Sequence, residues 1–256
     1  MLFLIGQVLP YLAAGVFLAG MIWRIATWLK CPVPFKLTMF PAPADTAGRV
    51  LAISKELILF DSLRRSEQGL WLWAWLMHIG LFAVVGGHIV GISQLGLQFT
   101  ALGMSPSQSV AMSAALGTGA GILLLGALIV LFYRRTAVPE VKRMSNPADY
   151  FDILLLLAIV ISGMHMRLTT LEVDLAAIRS YMAGLITFCP AAAPQNWIFL
   201  SHFFLVNILL IYFPFSKLVH LAGFFVTRSL IVAPPPAYPT AGSITKADFG
   251  ARRAAE

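Results

Sequence analysis

Four of the five histidines in this 256-residue chain fall inside two long apolar stretches. Trp197 to Arg228 reads WIFLSHFFLVNILLIYFPFSKLVHLAGFFVTR and carries His202 and His220; Trp71 to Ser93 carries His78 and His88. A histidine in hydrocarbon is costly and needs a partner. His202 and His220 are eighteen residues apart. At about 100° per residue that spacing closes five turns, so on one continuous helix both imidazoles leave the same face, about 27 Å apart along the axis. His78 and His88 are ten residues apart, which gives about 15 Å of rise and faces that differ by roughly 80°. Neutral imidazole is a common axial ligand of haem iron, and two of them saturate the metal, which favours electron transfer over oxygen chemistry. Matching depth pairs His88 with His202, and His78 with His220. The expectation is two bis-histidine b haems stacked across a membrane, with the four histidines as iron ligands. The unequal spacings require a tilt, or a kink at Pro214, to bring both pairs together.

The elements that position these residues follow from composition. Only 11% of the residues are charged, against about a quarter in soluble domains. Apolar runs of 18 residues or more recur, which marks an integral membrane protein. The pattern predicts an all-α bundle of five transmembrane helices, at about 2–29, 71–93, 109–133, 150–166 and 197–227. These belong to one membrane domain, residues 1–232, followed by a Pro-rich tail over 233–256. The loop over 30–70 holds Lys30, Lys36, Arg49, Lys55, Arg64 and Arg65; Arg134, Arg135, Lys142 and Arg143 lie on the same side, as do the tail cations. The opposite side holds Arg167 and Arg179. The positive-inside rule therefore puts the N-terminus outside and the C-terminus in the cytoplasm of a bacterial or archaeal inner membrane. The net charge of +7 reads as that topology and not as nucleic-acid binding. The first apolar run has no basic start and is too long for a signal-peptide core, so it is read as a retained span. Within the 30–70 loop, AGRVLAISKELILFDSLRRSEQG suits a helix lying on the membrane surface. LEVDLAAIRSYMAGLITF, before the fifth span, suits a second one.

Two cysteines, Cys31 and Cys189, cannot hold an iron–sulfur cluster, and no C-x-x-C-H is present for a covalently attached haem. Gly80, Gly86 and Gly87 leave room for a porphyrin edge or for helix packing. Lys217, Arg64 and Arg134 are candidates to pair with propionates of the inner haem. His165, in SGMHMRLTT beside Arg167, can hydrogen-bond a quinone carbonyl near the outer haem or carry a proton. Two other classes remain. One is a membrane anchor whose haems do not take part in quinone turnover. The other is a transporter whose histidines relay protons; five spans do not divide into the inverted repeats common there.

HIGLFAVVGGH, from His78 to His88, and the H-x17-H with FPFSKLVH resemble the gamma subunit of respiratory nitrate reductase, a five-span dihaem cytochrome b. PYLAAGVFLAGMIWR and AMSAALGTGAGILLLGALIVLFYRR are similar to it as well. The likeness covers the five spans and leaves out the first loop and the tail. It implies the same histidine pairing and quinol chemistry near the outer haem. That family carries a lysine at the start of its third helix; here the stretch reads SPSQSVAM, so Gln108 and Ser109 stand at the implied quinone pocket with His165 and Arg167. The long Pro-rich first loop and GMHMR are more like a branch of the family, the cytochrome b of the sulfite-reductase-associated electron-transport complex, related to the heterodisulfide reductase cytochrome. That branch implies a cytoplasmic iron–sulfur partner of the heterodisulfide-reductase type, other membrane and periplasmic electron-transfer subunits, and menaquinone or ubiquinone as exchangeable substrate. The expected function is electron transfer between the quinone pool and that iron–sulfur subunit in dissimilatory sulfur metabolism. The alternative is the gamma subunit of a nitrate reductase-like complex.

Overall fold

The computed structural model describes residues 2–31, 43, 45–169 and 174–231. The Pro-rich tail, and most of the Pro-rich start of the first loop, lie outside the described residues. The described chain is helical, and five helices are long and apolar enough to cross a bilayer: Leu4–Lys30, Gln68–Val90, Pro106–Ala137, Pro147–Leu168 and Trp197–Phe215. The protein is an integral membrane bundle. Its outward side chains, among them Leu12, Ile22, Ile122 and Ile129, are apolar and exposed, as a lipid-facing surface requires.

The first span opens with one π-helical turn, Leu4–Val8, and continues as α1 (Leu9–Lys30). The wide turn sits immediately before Pro10, whose missing N–H would otherwise interrupt the ladder. The first loop forms α2 (Thr46–Leu59) and α3 (Asp61–Ser66), two helices where the sequence suggests one. They meet at Phe60 in the left-handed region, φ 49°. α4 (Gln68–Val90) carries His78 and His88 on one uninterrupted helix. α5 (Pro106–Ala137) starts on a capping box in which Ser105 accepts from the Gln108 N–H and Gln108 accepts from the Ser105 N–H. Short α6 (Pro139–Met144) leads to α7 (Pro147–Leu168), capped in the same way by Asn146 and Asp149.

Small residues set how closely the helices approach. A Cβ on Gly80 of α4 would lie 3.0 Å from the Leu124 backbone, so this glycine is a helix-packing residue and not a porphyrin cradle. Gly121 of α5 admits the Met164 sulfur of α7 in the same sense. Leu124, Leu128, Leu156, Val160 and Met164 form the core between these helices. At the opposite end of the bundle, α8 (Leu175–Ile186) covers the helix ends. It is no free surface helix: Ile178, Tyr181 and Leu185 are buried against Phe199. Tyr181, 1% exposed, donates to the Gly6 carbonyl at the wide turn of the first span. Burial pushes its hydroxyl up to about 12, with the neighbouring Tyr11 adding to the effect.

The Trp197–Arg228 stretch is the main departure from expectation. It is broken, not continuous: α9 (Trp197–Tyr212) gives way to a 3-10 turn at Phe213–Phe215, an extended Ser216, a second 3-10 turn at Lys217–Val219, and α10 (His220–Ile231). Pro214 cannot donate a backbone hydrogen bond, and Ser216 closes the turn by donating to the Phe213 carbonyl and accepting from the Leu218 N–H. α1 fixes the place of the break. Gly20 lies so close that a Cβ there would come within 2.7 Å of the Pro214 ring.

Candidate functional site

The break brings two histidine pairs together where one straight helix could not. Along α4, His78 and His88 are separated by about 15 Å of helix rise. Eighteen residues of unbroken helix would carry His220 about 27 Å past His202, well beyond His78. In the broken chain the imidazole centres of His78 and His220 are 5.9 Å apart, and those of His88 and His202 are 6.3 Å apart. Depth matching therefore survives, while the same-face argument for His202 and His220 does not apply to a helix interrupted between them.

All four rings are tethered through Nδ1 to a backbone carbonyl, three locally and one across helices. His78 Nδ1 lies 2.8 Å from the Ala74 carbonyl, His88 Nδ1 2.7 Å from that of Val84, and His220 Nδ1 2.9 Å from that of Lys217. His202 Nδ1 reaches across to α7, 3.0 Å from the Ile159 carbonyl and 3.0 Å from Ser162 Oγ. A carbonyl accepts only, so Nδ1 carries the proton in each ring and Nε2 is the bare donor. This is how metal-ligating histidines are oriented by their surroundings.

The donor set decides what can fit. Among the described residues no three His, Cys, Asp or Glu side chains gather around a point. Each pair can thus give two ligands, and the metal must bring the rest in a plane between the rings. A metal–imidazole bond of about 2.0 Å, with roughly 1.2 Å from nitrogen to ring centre, gives about 6.4 Å between two axial rings. The observed 5.9 and 6.3 Å match that span. Beside His88, Gly86 and Gly87 would each meet nothing within 4 Å if given a Cβ, so open space adjoins that pair. Gly163 faces His202, where a Cβ would come within 3.2 Å of the ring. Both pairs therefore fit a haem.

The remaining predicted residues fall as follows. His165 is exposed on the last turn of α7, its ring centre 6.2 Å from that of Trp197. Arg167 lies over α5, its guanidinium against Gly117. Gln108 is engaged in the α5 cap. Ser109 is fully buried; its hydroxyl donates to the Gly96 carbonyl and accepts from the Phe99 N–H, pinning the uncharged loop before α5. The candidate propionate partners already hold carboxylates: Lys217 pairs with buried Asp149, Arg64 with Asp61, and Arg134 with Glu67. Cys31 and Cys189 are both exposed. Sequence reasoning missed Ser162 and Ile159, the partners of His202, and the Phe60 ring, which packs edge-on to His78 at 4.9 Å. A serine three residues before His165, after the apolar run Ile153–Ile161, was the available signal for Ser162.

Comparison with known proteins adds a second, independent line. Residues 62–235 match the family model described as nitrate reductase gamma subunit. The chain belongs to that family. It is 31% identical over 265 residues to the Hdr-like menaquinol oxidoreductase cytochrome b-like subunit of Archaeoglobus fulgidus, a match covering 86% of this chain and 76% of the relative. The nitrate reductase gamma chain of Bacillus subtilis is 30% identical over 169 residues, 61% of this chain and 75% of its own. The respiratory nitrate reductase 1 gamma chain of Escherichia coli is 26% identical over 228 residues, covering 84% and 88%. The match to the Archaeoglobus relative is long enough to reach outside the family segment, which begins only after the elbow at Phe60.

Proposed function

We propose that this chain is the membrane cytochrome b subunit of a quinone-linked oxidoreductase complex, carrying electrons between the quinone pool and a cytoplasmic iron–sulfur subunit. The observation that carries the reading is the pair of facing histidine couples, each ring tethered through Nδ1, at spacings that suit two axial ligands. His88 with His202, and His78 with His220, would hold two b haems. When bound, such haems supply one-electron carriers at two depths of the bilayer.

The chain's own residues do the rest. The carbonyl bonds keep each imidazole in one tautomer and strengthen its donor nitrogen. Ser162 adds a second polar contact at His202. α8 is tied to the first span through Tyr181 to Gly6 and Tyr11 to the Leu185 carbonyl at 3.0 Å, and it packs on Phe199 and Phe203 of the His202 helix. His165 and Arg167 stand on the α7 turns that follow Ser162. There they can hydrogen-bond a quinone carbonyl, and the His165 ring can take up the proton released on quinol oxidation. Gln108 and Ser109 shape the neighbouring loop. The excess of cations in 30–70, 134–143 and after Arg228 supports a cytoplasmic His78–His220 end, an outer N-terminus and a bacterial or archaeal inner membrane.

The higher identity of the Archaeoglobus fulgidus relative over 86% of the chain, together with the long first loop, favours a heterodisulfide-reductase-type iron–sulfur partner in dissimilatory sulfur metabolism, with further membrane and periplasmic subunits. The test is reduction of the purified chain by menaquinol and by ubiquinol, followed at the b-haem absorbance. Rapid reduction by one of them, slowed in His165→Ala, supports the reading. Haem that accepts electrons from dithionite but from neither quinol contradicts quinone turnover and leaves the membrane-anchor role.

A further inference from the structure

We infer that the α2–α3 elbow is a clamp on the His78–His220 couple, with Phe60 as the residue that positions and covers the His78 ring. The inference rests on the haem reading above and assigns a role to a segment which that reading does not use.

Phe60 adopts φ 49°, ψ 49°, a strained conformation that an aromatic side chain rarely holds. Such a residue persists only where its surroundings hold it. Two indoles do so here. Trp71 Nε1 donates to the Leu59 carbonyl at 2.7 Å, and Trp75 Nε1 donates to the Ile58 carbonyl at 2.8 Å. These are carbonyls of the last turn of α2, which has no helical partner for them. On the other side of the elbow, Glu56 accepts from the Ser62 N–H at 2.9 Å and so caps α3. The same carboxylate pairs with Arg228 of α10 at 2.9 Å, with both side chains largely covered.

The elbow is therefore fastened to two helices. Trp71 and Trp75 belong to α4, the helix of His78, with Trp75 a single turn before it. Arg228 belongs to α10, which begins at His220. Between these fastenings the Phe60 ring stands edge-on to His78, centres 4.9 Å apart and planes at 88°. Phe82, 6.2 Å from His78, flanks the same ring within α4. Among the described contacts no aromatic ring from a loop stands against His88 or His202, and the brace on His202 comes from α7 instead. The elbow spans the one couple whose second helix is broken, and so supplies a brace where a straight helix cannot.

The chemistry follows from solvent exposure. An apolar ring against an axial imidazole keeps water from that couple. The ferric state carries the extra positive charge, and water stabilises it, so uncovering the couple lowers the potential of its haem.

The experiment uses the full chain in membranes, with the two haems assigned by which one disappears in His220→Leu and which in His202→Leu. Phe60→Gly removes the ring and also relieves the backbone strain, so the elbow can still form. The expected result is a lower midpoint potential and a displaced ferric low-spin electron paramagnetic resonance signal for the His78–His220 haem, with the His88–His202 haem unchanged. Phe60→Leu, which keeps an apolar cover, returns part of the shift. Trp75→Phe, which keeps the ring but loses the N–H, moves the same haem in the same direction by less. Selective loss of that haem in Phe60→Gly also supports the clamp. Unchanged potentials and signals in both Phe60→Gly and Trp75→Phe overturn it, as does a shift confined to the His88–His202 haem. A wild-type chain that binds no haem overturns the haem reading beneath it instead.

Discussion

The two histidine couples use the same residues at nearly the same separation, yet they are built differently. His88 and His202 stand on uninterrupted helices, α4 and α9, and a third helix, α7, braces His202 through Ser162 and the Ile159 carbonyl. Their ring planes lie within 28° of each other. His78 and His220 stand on one straight helix and the first residue of a helix that restarts after a break. Their planes are 78° apart, and their brace comes from the first loop and from the Pro214 turn. The difference teaches that matching a ten-residue spacing on one helix with eighteen on its partner takes a break. Once the helix is broken, the site needs support from outside it.

The comparison can be broken at its strongest point first. His202→Leu should remove one haem of two and leave the His78–His220 haem in place, read as haem per chain; His220→Leu should do the converse. Loss of both from either variant would mean that the couples are not independent. Next in size, Gly20→Val should disturb only the broken side. Its added atoms meet Pro214 and force the turn to move, at a cost of about 1–3 kcal/mol. The expected reading is loss or broadening of the His78–His220 haem signal with the other intact. Ser162→Ala should sharpen the contrast from the other direction. It removes one of two polar contacts to His202, worth about 1 kcal/mol, and should shift only the His88–His202 haem.

The smallest effect concerns the elbow. Hydrogen bonds from Arg64 and Arg65 hold the Asp61 carboxyl below its ordinary value of 3.8. Its contribution is therefore present above that value and lost as pH falls through the depressed one. Asp61→Asn should slightly speed amide exchange in α3 near neutral pH, and the difference should close on strong acidification. An equal difference at both pH values would contradict the assignment.

Much of this was legible beforehand. Apolar length and charge spacing foretold five spans, because hydrocarbon forces every backbone group into a helix. The approach of the His88 ring to His202, and of the His78 ring to His220, was expected from depth alone. What periodicity could not reveal was the state of the chain at Pro214. A proline inside an apolar run is compatible with either a kinked or a broken helix, and the choice lies with Gly20 on a distant span. Nor could it assign Gly80, which reads like its neighbours Gly86 and Gly87 yet packs on Leu124 while they face open space. Nor could periodicity show that the Ser109 hydroxyl bonds the loop before α5, donating to the Gly96 carbonyl and accepting from the Phe99 N–H. The elbow was hidden because a left-handed Phe60 has no sequence signature; its cause is two tryptophan N–H groups more than ten residues away.

Haem per chain, by pyridine haemochrome on protein made with ample haem supply, is the most direct measurement. Two b haems per chain, with a bis-histidine low-spin spectrum, are the predicted result. One would mean that only one of the two couples ligates iron. None would contradict the cytochrome reading outright and return the four histidines to hydrogen bonding or proton relay.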